Sequence, residues 1–435
     1  MQTFEENPNP NAKIAFVIST PFFFYVCKNI IKYIPNAEFV ISDVWLDREV
    51  KNNPDYIGET ISLLKKHGQH WRIITTKTRD EPEIEAFFSK YQLIAAMRPG
   101  WPLSSLFNGD DWFYKKKTVL ISYGAGKDLV TLKPLNARFD IILSEGQHTH
   151  ELHSLIGTSY VVGAAKFDDW FNNNVDQNEI LKIRPLLDKR KKNILYLPTH
   201  GEFSSLRCFS EQISNLAKTY NVLVKFHHLN LVSEAKWVEK IRKSGDIIKF
   251  GPADDILPLF SLADVILSDS SSASLEAILI DKPLVILDSV KNAENFQVTG
   301  HDGYWISASQ YYSESIEQQI KKNEHSVCEV VDPGGNLSDA IEKALQLKFK
   351  HTANRNSLRE RLFSYNDGKC GARAAETIIS FLKGGNNKPK PPIIGAAIRS
   401  HLLATNQRVK IEVKKKNEKI KALSAEVKRL KRELF

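Results

Sequence analysis

Short apolar runs alternate with periodically apolar, amphipathic stretches along most of the chain. Residues 12–19 (AKIAFVIS), 37–41, 71–75, 93–96, 118–121 and 139–143 read as buried strands, several of them rich in β-branched side chains. Residues 22–33 read as the helix after the first strand. A second series of strands is expected at 193–197, 222–226, 247–250, 265–267 and 284–287, with helical spacing over 210–218 and 233–243. Strands that are apolar throughout, each followed by an amphipathic helix, are the pattern of parallel sheets covered on both faces. The expected fold class is therefore α/β, with two Rossmann-like domains. The first covers 1–180 and the second 181–383, with the charged stretch 181–192 at the boundary. Open parallel sheets bind ligands beyond the carboxyl ends of their strands, so the segments just after predicted strands are where chemistry is expected.

The pattern changes near the end. Residues 384–392 (GGNNKPKPP) have linker composition. Over 393–435, Leu402, Val409, Val413, Ile420, Leu423, Val427, Leu430 and Leu434 fall on one heptad frame, which Lys416 interrupts. This predicts a helical tail that acts as a coiled coil making a homo-oligomer, or as a basic amphipathic helix on anionic lipid. Charge follows the same division. Of the net charge of +9, residues 408–435 contribute eleven Lys/Arg against four Glu, so the rest is near neutral and no nucleic-acid partner is expected. The polar start (MQTFEENPNPNAK) and the lack of any run approaching about 20 apolar residues predict neither signal peptide nor membrane span. Cys27, Cys208, Cys328 and Cys370 show no paired spacing, which fits a reducing compartment. The expected location is cytoplasmic, with the tail offering peripheral contact at the inner face of the cell membrane.

Three post-strand segments carry candidate chemistry. Residues 264–288 (DVILSDSSSASLEAILIDKPLVILD) run from a strand through a serine cluster into a helix expected to begin near Ser274. Hydroxyls and free N–H groups at a helix start favour phosphate. Asp269, Ser270, Ser271 and Ser272 are therefore donor-binding candidates, with Glu276 placed for a ribose diol. The same spacing also fits an ordinary serine N-cap. Residues 222–230 (VLVKFHHLN) end a strand in Lys225, His227 and His228, offering a point charge for phosphate and imidazoles that donate hydrogen bonds or carry protons. A surface basic patch is the alternative. Pro198, Thr199 and His200 form a tight loop after the strand at 193–197. In the first domain, Tyr123 and Gly124 lie in a glycine loop (SYGAGKD) without dinucleotide or Walker spacing, and Glu145 and His148 lie in SEGQHTHELH. HTHELH lacks the HExxH spacing of a zinc helix, so no metal and no cofactor is expected.

In this order the segments resemble the CDP-glycerol glycerophosphotransferase family of teichoic-acid and capsule polymer synthesis, over about residues 118–382. Gly163, Lys166 and Asp168 are similar to its Gly-x-Pro-Arg-x-Asp turn, Pro198 and Thr199 to its Ala-Pro-Thr loop, and Lys225 and His227 to its Lys-x-His-Pro. Asp264, Asp269, Ser271, Ser272, Glu276, Lys282 and Pro283 follow its Asp-Tyr-Ser-Ser…Glu…Lys-Pro signature, and Asp367, Gly368 and Arg373 its Asp-Gly…Arg segment. The chain departs from the family at Tyr123, where the family has the His of His-Gly, at His200 for Arg, at His228 for Pro and at Ser270 for Tyr.

The resemblance implies a GT-B-like fold, a CDP-linked alcohol as donor, and a surface glycan or lipid-linked molecule as acceptor. His227, Lys225 and the Ser271/Ser272 helix start would stabilise the leaving group. His148, His200 and Glu145 are candidates for the base, and Tyr123 is a weaker one because phenols titrate near 10. A CMP-linked donor, as used by Kdo or sialic-acid transferases of capsule and O-antigen synthesis, is the alternative enzyme. A non-catalytic scaffold is the reading from a different class.

Overall fold

The computed structural model describes residues 5–42, 55–74, 81–97, 111–126, 131–201, 204–269, 271–289, 297–299, 305–307, 327–346, 352–385 and 387–434. The first series of apolar runs forms β1 (Ile14–Ile18), β2 (Ala37–Ser42), β3 (Trp71–Ile74), β4 (Leu93–Ala96), β5 (Lys117–Ile121), β6 (Ile141–Ser144) and β7 (Thr158–Val161). They pair in parallel in the order β3-β2-β1-β4-β5-β6-β7. The second series forms β8 (Asn193–Leu197), β9 (Asn221–Lys225), β10 (Ile247–Phe250), β11 (Val265–Ser268) and β12 (Leu284–Leu287). A small antiparallel pair follows, β13 (Gln297–Thr299) with β14 (Trp305–Ser307), and then β15 (Glu329–Val331). The second sheet is also parallel, ordered β10-β9-β8-β11-β12-β15. The sequence pattern did not predict the edge strands β7 and β15. β7 is half-exposed and β15 has three residues, so neither shows a long apolar run.

Alternation along each strand divides its side chains between two cores. Ile14, Phe16 and Ile18 of β1 join one cluster, while Ala15 and Val17 join the cluster on the other face. In β8, Leu195 and Leu197 face one way, Ile194 and Tyr196 the other. Burial on both faces is the physical reason these strands read as continuous apolar runs.

The expected domain boundary at 383 does not hold in space. The helix Cys370–Lys383 crosses back and packs on α1 (Pro21–Ile31) in the first lobe, where Ala374, Ala375 and Ile378 share a core with Phe23 and Ile30. The Asp168 carboxylate accepts the N–H groups of Cys370 and Gly371 at 2.9 and 2.7 Å, capping that helix. A Cβ at Gly371 would stand 2.0 Å from the Asn29 carbonyl oxygen, so the helices meet only through glycine. Asn172 donates to the carbonyl of Gly368 at 2.8 Å, and Arg373 pairs with Asp367 at 2.8 Å while covering the Tyr365 ring at 3.9 Å.

The lobes also touch directly. The Tyr25 hydroxyl donates to the Ala253 carbonyl at 2.6 Å, and Lys28 bridges Asp169 and Asp255 at 3.0 and 3.2 Å. Tyr56, at the start of α2 (Tyr56–Lys66), donates its hydroxyl to the His228 carbonyl.

The tail is one helix, Ile393–Leu434, of 42 residues, about 63 Å at 1.5 Å per residue. Its base is fastened to the first lobe: Lys388 pairs with Asp140 at 2.9 Å, and Arg399 donates to the carbonyls of Ala137 and Phe139. Among the described residues no helix is long and apolar enough to cross a membrane.

Gly371→Ala should lower the urea midpoint, by an overpacking cost of about 1–3 kcal/mol; an unchanged midpoint would contradict the close helix contact.

Candidate functional site

β8 and β11 are neighbours in the middle of the second sheet, and the chain order reverses between them. A parallel sheet opens a ligand crevice at such a reversal. Its walls here are the loop after β8, which begins at Pro198, and the turn from Asp269 into the helix Ser272–Leu279.

Two buried polar side chains hold the loop after β8. The Asp269 carboxylate, fully buried, accepts the N–H groups of Thr199 and Ser205 at 2.6 and 3.2 Å. Burial pushes it up to about 7, although those N–H groups pull the other way. From the opposite side, buried Asn230 donates to the Thr199 carbonyl and to Glu234, both at 2.6 Å, and its oxygen accepts the His227 N–H at 2.7 Å. The loops after β8 and β9 are thereby fixed to one another.

Three imidazoles result from that arrangement. His227 stacks on His200 at 4.4 Å and on His228 at 4.1 Å, with ring planes 18° and 29° apart. The His227 Nδ1 accepts the Leu229 N–H at 3.2 Å, so the neutral ring carries its proton on Nε2. Beside them Lys225 donates to the Gly251 carbonyl at 2.5 Å. Burial pulls this ammonium down to about 8 against the opposing charge of Asp254.

The serine cluster divides its work. Ser271 accepts the Ala273 N–H at 3.2 Å and caps its own helix, with Ser274 completing a capping box. Among the described residues the buried Ser272 hydroxyl has no protein partner. One turn on, Glu276 accepts from Lys166 at 2.6 Å, and Lys166 lies 5.1 Å over the Phe22 ring. Glu145, just after β6, completes this group. Its carboxylate accepts the Ala125 N–H at 2.8 Å, and burial, reinforced by the Glu276 charge, pushes it up to about 8. Tyr123, in the loop with Gly124, packs its ring on Phe22 and Phe23 at 5.3 and 5.7 Å.

A family model of CDP-glycerol:poly(glycerophosphate) glycerophosphotransferases matches residues 153–380. The chain belongs to this family. It is accordingly a nucleotide-donor transferase, and the scaffold reading is set aside. No curated protein sequence matches it. Among solved structures, a variant of the wall teichoic acid polymerase TagF soaked with CDPG aligns with a TM-score of 0.57 and 16% identity, over 87% of this chain and 90% of that one. Anabaena HepE in complex with UDP and glucose aligns with a TM-score of 0.50 and 14% identity, over 86% of this chain and all of that one (100%). These similarities show a shared fold of two parallel-sheet lobes.

Within this glycerophosphotransferase fold the expected residues separate. Pro198, Thr199, His200, Lys225, His227, His228, Ser272 and Glu276 gather around the reversal between β8 and β11 or one helical turn from it. Ser271, expected to meet the donor, spends its hydroxyl on its own helix cap, and Asp269 gives its Oδ2 to the loop N–H groups of Thr199 and Ser205 while its buried Oδ1 has no partner among the described residues. Glu276, expected at a ribose, is held by Lys166. Ser270 lies outside the described residues. Asp264, Lys282 and Pro283 precede β11 and β12, at the opposite sheet end; Asp264 accepts the Asn193 N–H at 2.8 Å there. His148 stands on the first turn of the helix Gln147–Ser154. Its neighbours His150 and His153 bind Ser159 and Ser144 at 3.0 and 2.8 Å, and burial holds His153 down to about 4. No group of His, Cys, Asp and Glu among the described residues could hold a metal ion. Asn230, Glu234 and Lys166 were absent from the expected site. Only Lys166 had carried a signal, as part of the family's turn.

Asn230→Leu should cost about 1–3 kcal/mol, the desolvation penalty of the N–H and carbonyl groups left unpaired, and weaken nucleotide binding. Equal urea midpoints and equal binding would contradict its role as the tie between the loops.

Proposed function

We propose that this chain transfers an alcohol-phosphate unit, glycerol phosphate or a close relative, from a CDP-linked donor to a hydroxyl of a surface glycan or lipid-linked acceptor. The observation that carries this reading is the chain reversal between β8 and β11, with the stacked imidazoles of His200 and His227 on the loops after β8 and β9 and a helix starting at Ser272 after β11. A diphosphate seated there meets an N–H donor, a hydroxyl and the positive end of a helix dipole. Those groups oppose the charge that develops when the bond between the phosphates breaks, which is where electrostatic catalysis is most effective. Family membership supports the cytidine-diphosphate alcohol as the donor.

His227→Ala should lower turnover about 100-fold or more, the scale of losing one preorganised donor, while far-ultraviolet circular dichroism stays unchanged. CMP release from CDP-glycerol reads it directly. Near-normal turnover of the variant, or release of CMP from a CMP-sugar but not from CDP-glycerol, would overturn the reading.

The tail is read as a self-association helix because its sequence carries a heptad seam, and its base is fastened to the first lobe through Lys388 and Arg399. Truncation after Lys383 should reduce the particle to a monomer by light scattering. Unchanged mass with lost liposome flotation would instead favour the lipid surface.

A further inference from the structure

We propose that Glu145 is the base that takes the proton of the acceptor hydroxyl; this rests on the alcohol-phosphate transfer reading above. The side chain stands between the lobes, lining a cavity of about 20 Å³ with Phe22, Tyr123, Gly163, Lys166 and Glu276. Glu276 comes from the same helix whose first residue is Ser272. Residues four apart share a helix face, so the Glu276 wall of the cavity lies about one turn, roughly 5.4 Å of rise, from the proposed phosphate seat at Ser272. A donor on the second lobe and a proton acceptor on the first then flank one reacting oxygen.

The position of the carboxylate is fixed by backbone. The Ala125 N–H holds it at 2.8 Å, and Gly124, at φ +82°, turns the loop that presents this group. The charged and titratable groups facing it are Lys166 and Glu276 with Tyr123 beside them, and Lys166 occupies Glu276 at 2.6 Å. The remaining carboxylate of the cavity is Glu145. Its proton affinity, near 8, lies close to neutrality, where a base serves best.

The other candidates stand elsewhere. His200 is stacked in the imidazole column on the leaving-group side. His148 does not line the cavity. The Tyr123 ring is set edge-on against Phe22 and Phe23, and a phenol is protonated near neutrality.

The step balances without a co-reactant. The acceptor oxygen bonds to the alcohol-bearing phosphorus as its proton passes to Glu145. The bond from that phosphorus to the bridging oxygen breaks, and the electron pair leaves on CMP. The proton returns to solvent after release.

The test is CMP release from CDP-glycerol with glycerol as the probe acceptor, alongside CDP binding by calorimetry. Glu145→Gln keeps an oxygen for the Ala125 N–H, so the fold should survive. Its kcat should fall about 100-fold or more, the usual scale for a lost general base, with CDP affinity unchanged. Glu145→Asp should recover part of the rate. The base works ionised, so the wild-type rate should climb as pH rises through about 8, and that limb should vanish in Glu145→Gln. A Glu145→Gln rate within threefold of wild type would overturn the assignment. So would a loss of CDP affinity matching the loss of rate, because that marks a structural role. If wild-type protein binds CDP but releases no CMP at any pH, the transfer reading itself fails and this assignment falls with it.

Discussion

The site depends on a carboxylate that has no access to solvent. Asp269 spends its charge on the backbone N–H groups of Thr199 and Ser205, across the gap between β8 and β11. Without that acceptor the two donors would lose their partner, at about 1–3 kcal/mol for a buried one, and the loop after β8 would lose its tie to the end of β11. Asn230 repeats the device from the other side, joining the Thr199 carbonyl to the His227 N–H. The stacked imidazoles are a consequence: two loops pinned in this way bring His200, His227 and His228 into one column.

A second constraint joins the lobes. The turn at 163–168 and the segment at 367–373 meet where Asp168 caps the returning helix and Gly371 lets it lie against α1. Residues that resemble family signatures thus serve two ends. Some shape the crevice, and others hold the first lobe at a fixed distance from it. Lys166 does both, since it belongs to the turn and reaches Glu276 on the helix of the second lobe.

The architecture was legible because strands buried on both faces must be apolar throughout, so β1, β8 and β11 declare themselves in sequence. β7 and β15 did not, being short or half-exposed at sheet edges. The serine cluster illustrates the limit for the site. Sequence offered an N-cap or a phosphate seat as alternatives; Ser271 makes the cap, and the buried Ser272 hydroxyl has no partner among the described residues. The tie from Asp269 to the loop after β8 was not legible, because nothing local says that a carboxylate after a strand reaches back to a loop 70 residues away in sequence. Asn230 was invisible for the same reason: its partners lie on other loops. The return of Cys370–Lys383 to the first lobe was likewise hidden, since amphipathic spacing shows that a helix buries a face but not against which core.

The charged and hydrogen-bonding groups divide by lobe. The second lobe carries the imidazole column, Lys225 and the helix start at Ser272, the groups proposed to meet a diphosphate, whereas Glu145 of the first lobe lines the small cavity beside Glu276. The most direct test of this account is calorimetric titration of the wild-type protein with CDP, with UDP and CMP as comparisons. The account predicts that CDP binds, that it binds more tightly than UDP or CMP, and that saturation raises the unfolding temperature as binding to the folded state requires. Failure of CDP to bind, or binding of CMP alone, would contradict it.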